Sequence, residues 1–363
     1  MRPEPIGSTR STLLDVSFPI CHLFYYPTQV VLVDDDPDFL DAVSLILPRD
    51  LSYRLFQSAR QALTHINDAQ QHAELIRRVY SSYKTGPFDS DTLTHIEINE
   101  LYKEVYNAQR FSTPSVVVVD YSMPSMNGLE FCASLTNPYV KRILLTGQAD
   151  TDLAVQAFNA GLIDQFISKK DQDLEEKLKR SIATLQQQYF SKSFKLITDP
   201  VIANSQSRFI SNPDFIAYFN ALREQHKIIE YYLIDEPYSG FALLNAKGEL
   251  SILLILPELG LEEHIRQCNT VGAPRQLVEA LRKGELVPLF NISDDNEHIK
   301  KLLTDDWHKY YAPAKQVCAH APYYCALIPR EHASRLLRKY QPQNIHPYKA
   351  HIETTASGAK FLH

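Results

Sequence analysis

No stretch of this 363-residue chain is apolar for long enough to cross a membrane, and no spanning helix is expected from it. Residues 1–28 lack the apolar core of a secretory signal, because Pro19, Cys21, His22 and Pro27 interrupt their short hydrophobic part. A cytoplasmic protein without a membrane partner is the expectation. Cysteine is scarce: Cys21, Cys132, Cys268, Cys318 and Cys325 are odd in number and far apart, which fits reduced thiols rather than a disulfide framework. Without a Cys-x-x-Cys pair, Cys318, His320 and Cys325 read as structural and not as a metal set. An excess of positive charge is also missing. Residues 1–200 hold 19 Lys and Arg against 25 Asp and Glu, and residues 201–363 hold 18 of each. The C-terminal part is therefore neutral, where a nucleic-acid reader is normally basic. Its one basic group, Arg330, Arg335, Arg338 and Lys339, reads as a solvated helix face. Equally absent are a phosphate loop, a zinc-hydrolase helix, a Gly-x-Ser-x-Gly elbow, a cyclic-dinucleotide signature and a helix-turn-helix, so no enzyme is expected in that part.

What the sequence does carry is a set of short apolar runs that end in polar residues. Residues 30–33 lead to Asp34, Asp35 and Asp36, the four valines 116–119 to Asp120, Ile143, Leu144 and Leu145 to Thr146, and Phe166 and Ile167 to Lys169. Such runs are expected to be buried parallel strands whose C-terminal ends carry a site. The residue types then point to a chemistry. A carboxylate that accepts a phosphoryl group brings negative charge towards more negative charge, so a divalent cation and a fixed ammonium have to balance it. Asp120 is the candidate phosphorylated nucleophile. Mg²⁺ is hard and prefers oxygen, and Asp34, Asp35 and Asp120, with a backbone carbonyl near Ser122, are its candidate ligands. Lys169 is expected to pair with the aspartate or the incoming phosphoryl oxygens, and the Thr146 hydroxyl to donate to them afterwards. Taken singly, each acid reads as a turn or cap residue, and Asp36 before Pro37 is expected to be an N-cap.

The segments Val33-Asp34-Asp35-Asp36-Pro37, Val119-Asp120-Tyr121-Ser122-Met123-Pro124-Ser125-Met126-Asn127-Gly128, Leu145-Thr146-Gly147 and Ile167-Ser168-Lys169 resemble the receiver domain of two-component response regulators. Haloacid-dehalogenase phosphatases use similar parts in another order, with the nucleophile on the first strand. The resemblance implies a doubly wound, five-stranded parallel α/β sheet of flavodoxin-like type. It also implies Mg²⁺ as cofactor, a sensor histidine kinase or phosphotransfer protein as partner, and a switch in which Phe166 changes rotamer with Thr146. Without the resemblance Phe166 reads equally as core. Lys170 departs from the pattern, since receivers place proline there.

Eighty-five residues separate Asp35 from Asp120, far more than a receiver needs. The excess, about 59–111, reads as a helical insertion: apolar spacing predicts helix over 59–80 and 96–106, with a break at Thr85-Gly86-Pro87. It is open between a surface elaboration and a dimer contact. The expected organisation is an N-terminal extension at 1–28, a receiver at 29–171, a linking helix at 172–195 and an output domain at 196–363. The linking helix carries one stripe, Leu174, Leu178, Ile182, Leu185 and Tyr189, able to pack on its own sheet, run into the next domain or pair with a second copy. Strand signals at 229–234, 241–245 and 250–256, then helices near 259–269, 274–283, 296–303 and 331–340 and a strand near 322–328, predict an α+β output with an antiparallel, PAS-like sheet. Trp307, Tyr310, Tyr311, Tyr323 and Tyr324 read as core. The phrases around Glu100, Phe158 and Tyr231 resemble a group of response regulators that join an insertion-bearing receiver to such a tail, and the late phosphoacceptor is similar to that of quorum-sensing regulators of the LqsR kind. A noncatalytic output switched by Asp120, with a homodimer as a further expectation, is set against an output that binds nucleic acid or a nucleotide.

Overall fold

The computed structural model describes residues 21–69, 71–84, 92–147, 151–203, 205–235, 237–291, 296–329 and 342–358. Most of the expected N-terminal extension, the break at 85–87, the basic group at 330–339 and the helix expected at 331–340 lie outside these residues. The chain opens with β1 (Phe24–Tyr25), β2 (Gln29–Val33), α1 (Pro37–Ile46), β3 (Tyr53–Phe56) and α2 (Ala59–Asn67). After the insertion come β6 (Pro114–Asp120), α5 (Gly128–Ala133), β7 (Lys141–Thr146), α6 (Thr151–Asn159), β8 (Gln165–Ser168) and α7 (Leu174–Ser193). Five of these strands form a wholly parallel sheet in the order β3-β2-β6-β7-β8. Successive strand residues point to opposite faces, and the run of valines serves both. Val31, Val33, Val117 and Val119 pack with α2, α5 and α6. Val30, Leu32, Val116 and Val118 pack with α1 and with Leu178, Ile182 and Leu185 of α7. This is the doubly wound flavodoxin-like fold.

The insertion is helical over most of the two segments expected to be so and departs from the expectation in one hairpin. Its first helix, α2, covers the parallel sheet through Ala59, Ala62 and Ile66. Beyond it lie α3 (Gln71–Val79), an antiparallel hairpin of β4 (Tyr80–Lys84) and β5 (Thr92–Ile96), and the short α4 (Asn99–Tyr102) continued by tight helical turns to Ser112. Tyr80 and Ile96, predicted as helix, pair across the hairpin. Strand-favouring residues recur in both segments, Tyr in the first and Thr and Ile in the second, and this outweighs the helical spacing.

The rest of the chain forms α8 (Lys195–Ala203), α9 (Pro213–Gln225), β9 (Ile228–Ile234), β10 (Gly240–Asn245), β11 (Leu250–Pro257), α10 (Glu258–Thr270), α11 (Arg275–Arg282), β12 (Leu286–Pro288), α12 (Asn296–Asp305), β13 (Tyr311–Pro313), β14 (Lys315–Val317), β15 (Tyr323–Ile328) and α13 (Tyr348–Gly358). Its main sheet is antiparallel, ordered β1-β9-β10-β11-β15-β14, as an α+β output requires. Two parts of the chain expected elsewhere complete it. β1, from the expected N-terminal extension, is its edge strand on β9. Leu75 and Val79 of α3, Leu101 and Tyr102 of α4, Val105 and Phe111 are buried in its core. α7 takes two of its three expected roles: it covers the parallel sheet, and its far end puts Tyr189 and Phe190 into the antiparallel core. There the Phe24 ring meets that of Phe194 edge-on at 4.5 Å. Tyr311 is buried in the same core, with Trp307, Tyr310, Tyr323 and Tyr324 packed against it, so the aromatic group is core. Among the described residues no helix is long and apolar enough to cross a membrane.

Candidate functional site

The parallel register brings four strand tips together. Val33 lies opposite Val119, Asp120 opposite Leu145, and Thr146 opposite Ser168, so Asp34, Asp120, Thr146 and Lys169 share one rim of the sheet. Asp34, Asp120 and Thr146 are buried, whereas Asp35 is exposed. The Lys169 ammonium bridges the two buried acids, 2.6 Å from Asp34 Oδ2 and 2.8 Å from Asp120 Oδ1, and lies 4.3 Å from the centre of the Phe39 ring. Backbone amides hold the other carboxylate oxygens: the Asp36 N–H donates to Asp34 Oδ1 at 3.0 Å, and the Ser122 N–H to Asp120 Oδ2 at 3.0 Å. The Lys169 N–H donates to the Thr146 carbonyl at 3.0 Å, which joins the last two tips.

Local sequence explains the placement. Asp36 caps α1, accepting from the Asp38 and Phe39 amides with Pro37 opening the helix, and so fulfils its bland reading. Asn127 and Glu130 form a reciprocal capping box at the start of α5. That helix begins hard against β6, because a side chain on Gly128 would place its Cβ 2.5 Å from the Asp120 carbonyl oxygen. Glycine is the residue that permits this approach. Lys170 uses what a proline would lack, donating its N–H to Ser168 Oγ at 3.3 Å. Phe166 is half-buried, with its ring 6.4 Å from that of Phe158. Phe39 was not singled out in the sequence; its only signal is its place two residues after Pro37.

Electrostatically the pocket is an acid trio on one ammonium. Burial pushes the Asp34 carboxyl above its usual range, and the neighbouring Asp120 adds to this, although Lys169 and the Asp36 amide act against it. Burial alone would lower the Lys169 ammonium, but its bonds to Asp120 and Asp34 outweigh that and hold it above its usual value. One positive charge thus serves two buried acids. Oxygens of Asp34, Asp35 and Asp120 lie within 4.8 Å of one another, the one group among the described residues so arranged. Mg²⁺ is a hard ion that takes oxygen ligands at ~2.1 Å. The all-oxygen donor set fits that ion. Cys318, His320 and Cys325 form no such group.

Comparison with known proteins agrees. Residues 87–179 match the response regulator receiver domain family, a span that includes Asp120, Thr146 and Lys169 and leaves the Asp34 strand to the geometry. Fold, site and family agree on the class of this part of the chain: it carries a response regulator receiver domain. The whole chain is similar to the Legionella pneumophila response regulator LqsR at 29% identity and TM-score 0.73, over 94% of this chain and 98% of that one. An adenylate cyclase from Rhodopirellula baltica is similar at 25% identity over 48% of this chain and 94% of that one, with TM-score 0.31. An uncharacterized protein from Neptuniibacter caesariensis is similar at 20% identity over 47% and 96%, with TM-score 0.32. Likenesses at those scores say nothing about function. No curated protein matches the chain.

Proposed function

We propose that Asp120 accepts a phosphoryl group from a sensor histidine kinase or phosphotransfer protein and that its phosphorylated state switches the contacts of a noncatalytic output. The observation that carries this reading is the Lys169 ammonium held between Asp34 and Asp120 at the rim of the parallel sheet. An Asp120 oxygen forms the new P–O bond as the donor's bond to phosphorus breaks, and the ammonium balances the charge that gathers on the transferring group. Asp34, Asp35 and Asp120, with the Ser122 carbonyl, would hold Mg²⁺. When bound, that ion supplies charge neutralisation for the phosphoryl oxygens. The Thr146 hydroxyl then donates to a phosphoryl oxygen, and Phe166 follows it inward.

To turn a mostly inactive population into a mostly active one takes ~5 kcal/mol of differential stabilisation. A few hydrogen bonds to a charged group, each contributing about 1.5–3 kcal/mol, are enough. A cytoplasmic location, a homodimer and a place in quorum sensing complete the proposal, the last resting on the resemblance found in the sequence. An output that binds nucleic acid has weaker support, since residues 201–363 carry equal numbers of basic and acidic groups. In a labelling assay with a small phosphodonor and Mg²⁺, wild type takes up the phosphoryl group and Asp120→Asn takes up none. Undiminished labelling of the variant would overturn the assignment.

A further inference from the structure

Both acid-bearing strands of the parallel sheet start at the antiparallel body. β2, which leads to Asp34, is separated by three residues from β1, whose Phe24 and Tyr25 pair with Tyr232 and Tyr231 of β9. β6, which ends at Asp120, is separated by three residues from Arg110. Arg110 is fully buried and grips Glu230 of β9 with a two-pronged ion pair. Its Nε donates to Glu230 Oε1 at 2.7 Å and its Nη2 to Oε2 at 3.1 Å. Two more N–H groups are also used: Nη1 reaches the Asn107 carbonyl at 3.0 Å, and Nη2 reaches the His346 carbonyl at 2.8 Å. The Phe111 ring centre lies 3.9 Å from the guanidinium carbon, and the Tyr232 hydroxyl donates to Glu230 Oε1 at 2.6 Å.

Geometry makes this contact stiff. A planar guanidinium fork fits a carboxylate in one orientation. Separating the two inside an apolar core leaves uncompensated buried charge, so a displaced Arg110 carries Glu230 with it. At the same end of the sheet the Thr28 and Ser115 hydroxyls are 2.6 Å apart, and the Gln186 amide donates to the Thr28 carbonyl and hydroxyl at 3.1 Å each. β2, β6 and α7 are thereby tied together where they meet the antiparallel body. The seven residues of β6, at ~3.3 Å per residue, make a strut of about 20 Å from this joint to Asp120.

We propose that the buried Arg110–Glu230 pair is the joint through which the antiparallel sheet reads the state of the acidic pocket, with the insertion as its lever. The proposal rests on the phosphoacceptor reading for the signal it transmits. Arg110→Lys keeps the charge but loses the fork, and Glu230→Gln keeps the shape but loses the charge. The full chain and both variants are compared in two measurements. Calorimetry of wild type gives one unfolding transition for both sheets, and each variant gives two; two transitions in wild type would overturn the joint. Hydrogen exchange with Mg²⁺ and beryllofluoride, a phosphoryl mimic whose binding is followed by its fluorine resonance, shows a severalfold change in protection at Ile228–Ile234 in wild type. The variants load equally and lose most of that change, and an undiminished change in both would also overturn the joint. A chain that never loads refutes the phosphoacceptor reading instead. The calorimetric arm then decides alone, a split transition in both variants upholding the joint and an unsplit one overturning it.

Discussion

In the parallel sheet the charged side chains of the site stand at strand ends, where Asp35 is exposed and one ammonium serves two buried acids. In the antiparallel sheet the charge of Glu230 sits within a strand, sealed between Arg110 and Tyr232 with both carboxylate oxygens taken. The first arrangement leaves carboxylate oxygens for an incoming cation and phosphoryl group. The second leaves nothing to react and instead fixes one element against another. The contrast teaches where chemistry and transmission reside: an open, under-neutralised rim on one sheet and a closed, fully paired clamp on the other.

Two glycines break the contrast in opposite senses. Gly128→Ala drives a Cβ onto the Asp120 carbonyl oxygen, and Gly240→Ala drives one onto the Leu253 carbonyl oxygen. Each is expected to cost about 1–3 kcal/mol in urea unfolding, yet only Gly128→Ala should also slow phosphoryl labelling. Equal slowing in both would erase the distinction between the two sheets.

Acid sharpens it next. Burial pushes the imidazoles of His22, His264 and His65 down to about 4, the first two in the antiparallel body and the third beside β2. Each takes up a proton near pH 6.5 when unfolded but only near pH 4 when folded. Their stability contribution is therefore fully present above pH 6.5 and is lost as pH falls through this window, at about 1.4 kcal/mol per pH unit for each group. His264→Gln should remove one such share from the slope of unfolding free energy against pH. An unchanged slope would show that His264 does not titrate on unfolding.

The smallest effect concerns Asp34. Its carboxyl is raised by burial, so whatever stability its protonation adds lies at low pH and is gone at neutral pH, where the ionised form works against folding. Asp34→Asn should stabilise the metal-free chain by about 1 kcal/mol near pH 7, while abolishing any gain in unfolding midpoint on adding Mg²⁺. A variant that is less stable and still responds to Mg²⁺ would contradict the placement of the cation.

The site was far more legible in the sequence than the joint. Strand-end residues such as Asp120 and Thr146 announce themselves because a wholly buried strand is a contiguous apolar run, and its tip is the next residue along. The pairing of Phe24 with Tyr232, or of Arg110 with Glu230, is set by tertiary packing between residues far apart in the chain, and no local pattern encodes it. β1 has two residues, too few for an alternation to show. The hairpin at Tyr80 and Ile96 was hidden because its apolar residues also fall at helical spacing, and only its cross-strand partners decide between the two. Phe39 was invisible for a similar reason, being an ordinary first-turn residue of α1 until Lys169 is placed beside its ring.

One measurement bears on the central claim most directly. The full chain is incubated with a small acyl phosphate and Mg²⁺, the resulting acyl phosphate is reduced with borohydride, and the peptides are mapped by mass. The account predicts a single reduced side chain at position 120. A reduced residue at any other aspartate, or none in a chain that remains folded, would contradict it.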